Sequence, residues 1–413
     1  MAQYSRSLLF RCSAIALLIV GSPFTRTPRA NAIQFNFEFS EETPTDVIGG
    51  FQEAGDVWSS LLSDDITVDL TVDFQPFNTT SLGRFTPERI NVDYQDVLVA
   101  LEDDIDSIND TTAFNSLQNS NAIANGQGSA LAFDQLINGT LDNPNGEGSR
   151  IPYVDNDGDC NNRSVRITTA NAKALGLPTT GTGCNSQLTA PSNDGSITIN
   201  SNFAWDFDVS DGIEPLTYDF VGVALQGIGA TLGNISGIDV LDLNSPLIDG
   251  EEELFFEDGM FPFVSLPDLY RFSDESSALG VIDWTTGRTD ATGAEVRKYF
   301  SIDGGQTSLA NFSTGISQGD GNRASSWQAD EIGDVSLGLF EPTPNTEQTL
   351  QFSETDLILF DVIGYDLANS SDDLPIRGIT DSPNDPEPIP EPSSAIALLP
   401  VAWFGFKWFQ KQR

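Results

Sequence analysis

The chain contains no histidine. That absence removes Ser-His-Asp triads, Cys-His dyads, H-E-x-x-H zinc sites and every imidazole base, so any chemistry must run on carboxylates, hydroxyls, lysine or a bound hard metal. Cysteine is nearly as scarce, with three in 413 residues, and positive charge is thin: 19 Lys and Arg stand against 61 Asp and Glu, a formal net charge of −42. A surface this acidic repels phosphate backbones and anionic headgroups, which argues against nucleic-acid binding and polybasic membrane attachment. It suits cations and polycationic partners. What is present is enough for a core, because 39% hydrophobic residues with 27 Phe and 6 Trp separate the chain from disordered acidic tails.

Both ends read as segments outside the folded domain. Arg6 and Arg11 precede an apolar run over 14–20, and Ala30-Asn31-Ala32 is a small-residue cleavage site, so 1–32 has the layout of a secretory signal peptide cut before Ile33. An uncleaved anchor or buried helix is the other reading; the run is too short to span a bilayer. At the far end a Pro- and Asp-rich linker (368–389) leads to Pro390-Glu391-Pro392, an apolar stretch over 395–406 broken by Pro400, and basic Lys407, Lys411 and Arg413. No acidic residue lies in 1–32 or 395–413, so the chain between them is more acidic than the whole. The order of the three tail parts resembles the PEP-CTERM sorting signal of exopolysaccharide-producing Gram-negative bacteria and cyanobacteria. That resemblance implies export, transient membrane retention and tail removal by an exosortase-type sorting enzyme, with Pro390, Glu391 and Pro392 as its recognition residues. It places the product at the cell surface or in the extracellular matrix.

Cysteine usage agrees with export. Cys12 leaves with the leader, and Cys160 and Cys184 remain as an even pair. One disulfide is the simplest reading, and a paired-thiolate metal site without histidine is the alternative.

Along the domain (33–367), Phe35, Phe37 and Phe39 alternate as a first strand, and Ile66, Val68, Leu70, Val72 and Phe74 as a second. Between them Val47, Phe51, Ala54, Trp58 and Leu61 fall at helical spacing over 45–62, and 96–101 reads as a further helix. The stretch 103–148, rich in Asn, Asp, Ser and Gly, reads as an irregular surface insertion. A short helix over 168–175 and a strand over 196–200 follow. Over 217–233, Val221, Ala224, Leu225, Ile228 and Leu232 share one face and Gly233 ends the run, which predicts a buried helix. Ser353 caps a last helix over 354–363. Strand-helix-strand pieces followed by a late buried helix predict an α+β fold with helices on one sheet face.

The buried helix carries glycines at 222, 227 and 229, each costing about 1 kcal/mol relative to alanine. Its sequence resembles the zincin helix V-x-x-H-E-I-G-H-x-L-G, in which two His hold zinc and the Glu polarises water. The ligand positions here are Gln226 and Ala230, and the catalytic-base position is Gly227. Gly319 to Trp327 resembles the segment of leishmanolysin-like metzincins that supplies a third ligand, with Ser326 at the His position. Leu337 to Thr343 resembles the Met-turn, with Phe340 where Met would stand. The resemblance to secreted bacterial zinc metallopeptidases of that kind implies a metzincin-like sheet, a buried former active-site helix and a C-terminal helical subdomain. The family's zinc has lost all three imidazoles here, so the resemblance implies a pseudoenzyme without cofactor. A Gly-rich core helix in an unrelated fold is the plainer alternative.

Carboxylate sites remain. Asp155, Asp157 and Asp159 alternate in a turn at a spacing suited to Ca²⁺, though Gly158 and Arg166 fall where an EF-hand would not have them; a solvated acidic turn is the competing reading. Asp206 and Asp208, two apart on an expected strand, are a paired-acid candidate of glycosidase type. Asp303-Gly304-Gly305 reads as a hairpin turn. Three functions follow as expectations: an inactive metallopeptidase-like surface or matrix protein with a peptide or extracellular-polysaccharide partner, an active metalloendopeptidase with a rearranged metal site, and a Ca²⁺-dependent structural or adhesive matrix protein.

Overall fold

The computed structural model describes residues 32–123, 129–146, 148–186, 189–244, 256–290, 292–328, 338–342 and 344–368. The expected leader and the tail with Pro390, Glu391 and Pro392 lie outside the described residues.

Alternation makes β1 (Gln34–Phe39), with Phe35, Phe37 and Phe39 half-buried on one face and Gln34, Asn36 and Glu38 exposed on the other. β2 (Thr67–Gln75) lies parallel to it, Phe35 beside Val68 and Phe37 beside Leu70. The strand Gly195–Asn200 runs parallel on the other side of β2, and β3 (Gly83–Pro87) closes the four-stranded sheet antiparallel, with Phe85 beside Ile197. One face of this sheet is therefore a continuous apolar surface.

Two helices cover it. α1 (Thr45–Leu61) buries Val47, Phe51, Ala54, Trp58 and Leu61, the residues whose spacing marked it as a helix. The helix Phe220–Leu232, here the central helix, packs along α1. Phe51 meets Phe220 edge to face at 5.7 Å, and the Trp58 indole N–H donates to the Leu225 carbonyl at 3.1 Å. Burying each such ring contributes about 1.5–3 kcal/mol. Lys173 donates to Asp194 at 2.6 Å and to the Thr67 carbonyl at 2.8 Å, bridging a short helix (Thr169–Ala174) to β2.

The fold is α+β, as the order of elements predicted. The stretch 103–148, expected to be irregular, contains regular structure. After α2 (Tyr94–Asp104), a capping box formed by Ser107 and Asp110 starts α3 (Ile108–Ser116). A hairpin of Ser120–Ile123 with Ser129–Ala132 follows, and then a fully buried strand Gln135–Ile137. The polar composition misled because buried amides do the work of apolar residues here: Asn138 donates to the Thr286 carbonyl at 3.1 Å and Asn143 to the Ile151 carbonyl at 2.8 Å.

The part after the central helix is also less helical than expected. Arg271–Phe272, Lys298–Phe300 and Ala310–Phe312 form a three-stranded sheet. Asp303 caps the connection between its last two strands, accepting from Ser301 Oγ and from the Gln306 and Thr307 amides, so the expected turn at Asp303-Gly304-Gly305 is structural. The C-terminal helix Glu354–Val362 starts at Ser353 and buries Leu357, Leu359 and Phe360.

Candidate functional site

The central helix starts at Asp219, whose Oδ1 accepts from the Gly222 amide at 2.8 Å, and ends where Gly233 adopts φ +137°. Of its thirteen residues only Gln226 and Ala230 are not buried. They lie one turn apart on one face and are half-buried, and they are the two positions that the sequence resemblance matches to the His ligands of a zincin helix.

The neighbours of that face are specific. Gln226 Nε2 donates to the Leu339 carbonyl at 2.7 Å and the Glu341 carbonyl at 3.1 Å, which docks the segment around Phe340 onto the helix. The Phe340 ring lies under the helix at Gly229, where a Cβ would come within 2.6 Å of it and within 3.0 Å of Trp58. At Gly227 a Cβ would sit 3.0 Å from the Phe85 ring and 3.1 Å from Ile197. These two glycines let the helix approach the sheet on one side and Phe340 on the other, which accounts for residues of such poor helix propensity.

Ser326 is half-buried, and its carbonyl accepts from the Ser313 amide at 2.8 Å. The next residue, Trp327, donates its amide to the Phe340 carbonyl at 3.1 Å and stacks on Phe312 with ring centroids 4.9 Å apart. Its indole N–H donates to Asp356 Oδ1 at 2.7 Å. Asp356 Oδ2 takes the amides of Leu339 and Ser353, both at 2.7 Å, and the Ser353 hydroxyl at 2.9 Å. This one carboxylate thus joins the Ser326 segment, the Phe340 turn and the C-terminal helix. Sequence reasoning read Ser353 as a helix cap and missed the hub, although the Ser353-x-x-Asp356 spacing was its visible half.

The donor set does not fit zinc. Gln226 has turned its amide nitrogen to two carbonyls, Ala230 offers no ligand atom, and Ser326 offers only a neutral hydroxyl, whereas Zn²⁺ is held by imidazole, thiolate or carboxylate. Gly227 supplies no base.

Burial pushes the Asp356 carboxyl up to about 6 against the donors that hold it down, and burial likewise raises Asp239 to about 6. Both values exceed the 3.8 of an unfolded carboxyl. The folded state therefore holds more protons between roughly pH 4 and 6, and stability falls as pH rises through that window. Scanning calorimetry is expected to give a Tm about 5 °C lower at pH 7.5 than at pH 5. A Tm that rises over this interval would show that Asp356, Asp239 and the other carboxyls that burial raises are ionised at little cost.

The acidic loop is rearranged relative to its expected use. Cys160 and Cys184 are joined in a disulfide that ties the loop to a distant turn. Asp157 and Asp159 approach Asp258, from a remote segment, with ligand oxygens within 4.8 Å of one another. Asp155 faces inward, its Oδ2 accepting from Gln135 at 3.0 Å and Asn161 at 2.8 Å. Asp258 had no signal in the sequence, because only the fold brings it beside Asp159. Donors already serve this cluster: Tyr153 and the Gly259 amide on Asp258, the Asn161 amide on Asp159, and the Asp159 amide on Asp157.

The paired-acid reading of Asp206 and Asp208 does not survive. The strand stops at Asp206, whose two oxygens take the amides of Asp208 at 2.9 Å and Glu214 at 2.8 Å, while Asp208 caps a turn of 3-10 helix. Both carboxylates shape a turn and face no common substrate. A cavity of about 130 Å³ lies elsewhere, between Tyr94, Leu117, Phe133, Leu269 and Ile282. It is smaller than the roughly 300 Å³ at which ligand pockets begin.

No protein-family profile, no curated protein and no solved structure matches the chain.

Proposed function

We propose that the chain is an exported, catalytically inert surface or extracellular-matrix protein built on a metzincin-like scaffold. In this reading Pro390, Glu391 and Pro392 direct it to an exosortase-type enzyme, and its partner is an extracellular peptide or polysaccharide. The observation that carries the proposal is one face of the central helix: Gln226 and Ala230, at the positions that match the zincin ligands, are its only two residues that are not fully buried, and the segment around Phe340 docks on it through Gln226. The mixed α+β fold is compatible with the fold half of the reading, and the donor chemistry supports inertness. A rearranged peptidase is disfavoured because the described face offers neither a base nor a charged ligand. Among the described residues no helix is long and apolar enough to cross a membrane.

The scaffold is tested by returning ligands to it. The variant Gln226→His/Ala230→His/Ser326→His is expected to take up one zinc per chain, read by elemental analysis, while the parent chain takes up none. If the folded variant binds no zinc, the three positions do not converge and the metzincin-like reading falls.

A further inference from the structure

A second carboxylate group lies away from the central helix, where the C-terminal helix meets the α2–α3 connection. Asp106, Asp110 and Asp361 bring oxygens within 4.8 Å of one another. Asp104, Asp366 and Asp64 act on them or on each other electrostatically, so six carboxylates share one region. None of the ion pairs among the described residues includes any of the six.

Crowded carboxylates alone do not make a site, and the loop cluster around Asp258 shows how such a group is satisfied internally. This group differs in its buried oxygens. Asp361 is 2% exposed; its Oδ2 accepts from Ser107 Oγ at 2.9 Å and Asn109 Nδ2 at 3.1 Å, but its Oδ1 has no donor. Asp64 is 7% exposed and its Oδ2 has none either. A buried carboxylate oxygen without a donor is costly, and nearby negative charge adds to the cost. Burial and the neighbouring carboxylates push Asp64, Asp104 and Asp106 up to about 7 and Asp361 to about 6.

We propose that Asp106, Asp110 and Asp361 ligate a Ca²⁺ ion, with Asp104, Asp366 and Asp64 as the surrounding charge, and that this ion clamps the C-terminal helix to the α2–α3 connection. The donors are all oxygen, which selects a hard cation. Oxygens that all lie within 4.8 Å of one another can share one Ca²⁺, whose flexible coordination at about 2.4 Å accepts an irregular set, whereas Mg²⁺ at about 2.1 Å demands near-ideal octahedral geometry and keeps its waters. The place gives the ion a role. Beyond Asp361 the chain is stitched to the end of α1, with the Ser63 amide on the Asp366 carbonyl at 2.8 Å and the Ala368 amide on the Leu61 carbonyl at 2.8 Å. The clamp therefore holds the last described residues against the end of α1. Loss of Ca²⁺ loosens that junction.

The test is isothermal titration of the chelator-stripped protein with CaCl₂ at pH 7.5, with MgCl₂ as competitor. One Ca²⁺ per chain is expected, with Kd of about 10–1,000 µM, and a Tm rise of about 5 °C at a hundredfold excess. Asp106 is exposed, so Asp106→Asn leaves packing intact; it and Asp361→Asn are each expected to weaken binding at least tenfold, while Asp258→Asn in the loop cluster leaves it unchanged. Absence of Ca²⁺ binding in the parent chain overturns the proposal. So does binding that survives Asp106→Asn and is lost in Asp258→Asn, or that equimolar Mg²⁺ displaces.

Discussion

Asp356→Ala is expected to lower stability by about 5 kcal/mol, enough to leave the protein barely folded. The substitution removes the acceptor of the Trp327 indole N–H and of the Leu339 and Ser353 amides in a site that is fully buried. Each buried donor left without a partner costs about 1–3 kcal/mol, and three are orphaned together. A domain holds only about 5–15 kcal/mol in all. Asp356→Asn keeps the shape and one accepting oxygen but turns an N–H₂ toward N–H donors, so about half the loss is expected to remain. Urea unfolding followed by tryptophan fluorescence reads both variants, since Trp327 is buried beside the site. A loss below about 1 kcal/mol for Asp356→Ala would mean that the Ser326 segment and the Phe340 turn are held by something else.

Lys298→Met is expected to cost about 3–5 kcal/mol, because removing one member of a buried ion pair strands the other. Lys298 Nζ donates to Asp283 Oδ2 at 2.6 Å and to Thr285 Oγ1 at 2.7 Å, with Lys298 4% exposed and Asp283 fully buried. Burial would push the Asp283 carboxyl up; Lys298 and then Arg271 outweigh that and hold it below the usual carboxylate range. A fall in Tm of about 8 °C is the expected readout. The double variant Lys298→Met/Asp283→Leu is expected to recover only part of the loss. Arg271 is 1% exposed, donates Nη1 to the Ser313 carbonyl at 3.2 Å, and has no hydrogen-bond partner at Nε or Nη2, so it depends on the field of Asp283. Full recovery would show that Asp268, Asp239 and Asp320 suffice as counter-charge for Arg271.

These two sites mark where sequence reasoning stops. The first two strands, α1 and the central helix were legible because burial there is written in apolar periodicity: Val68, Leu70 and Val72 at period two, Phe51, Ala54 and Trp58 at helical spacing. The structure around 103–148 was hidden because its burial rests on Asn138 and Asn143, which look like loop residues until their partners are known. Asp258, Asp283, Asp356 and Asp361 were hidden for a different reason. In a chain with 61 acidic residues a buried carboxylate is hard to tell from an exposed one, and a decisive partner of each lies elsewhere in the sequence: Tyr153 for Asp258, Lys298 for Asp283, Trp327 for Asp356 and Ser107 for Asp361. At the candidate site the resemblance singled out Gln226, Gly227, Ala230, Ser326 and Phe340, and the structure adds what surrounds them: a half-buried face at Gln226 and Ala230, a ring under Gly229 and another against Gly227.

The central claim is that a metallopeptidase-like scaffold persists here without its chemistry. Its most direct test is the zinc content of the purified protein measured together with cleavage of a generic unfolded protein substrate, with and without chelator. The account predicts no stoichiometric zinc and no cleavage that chelator abolishes; one zinc per chain with chelator-sensitive cleavage would contradict it.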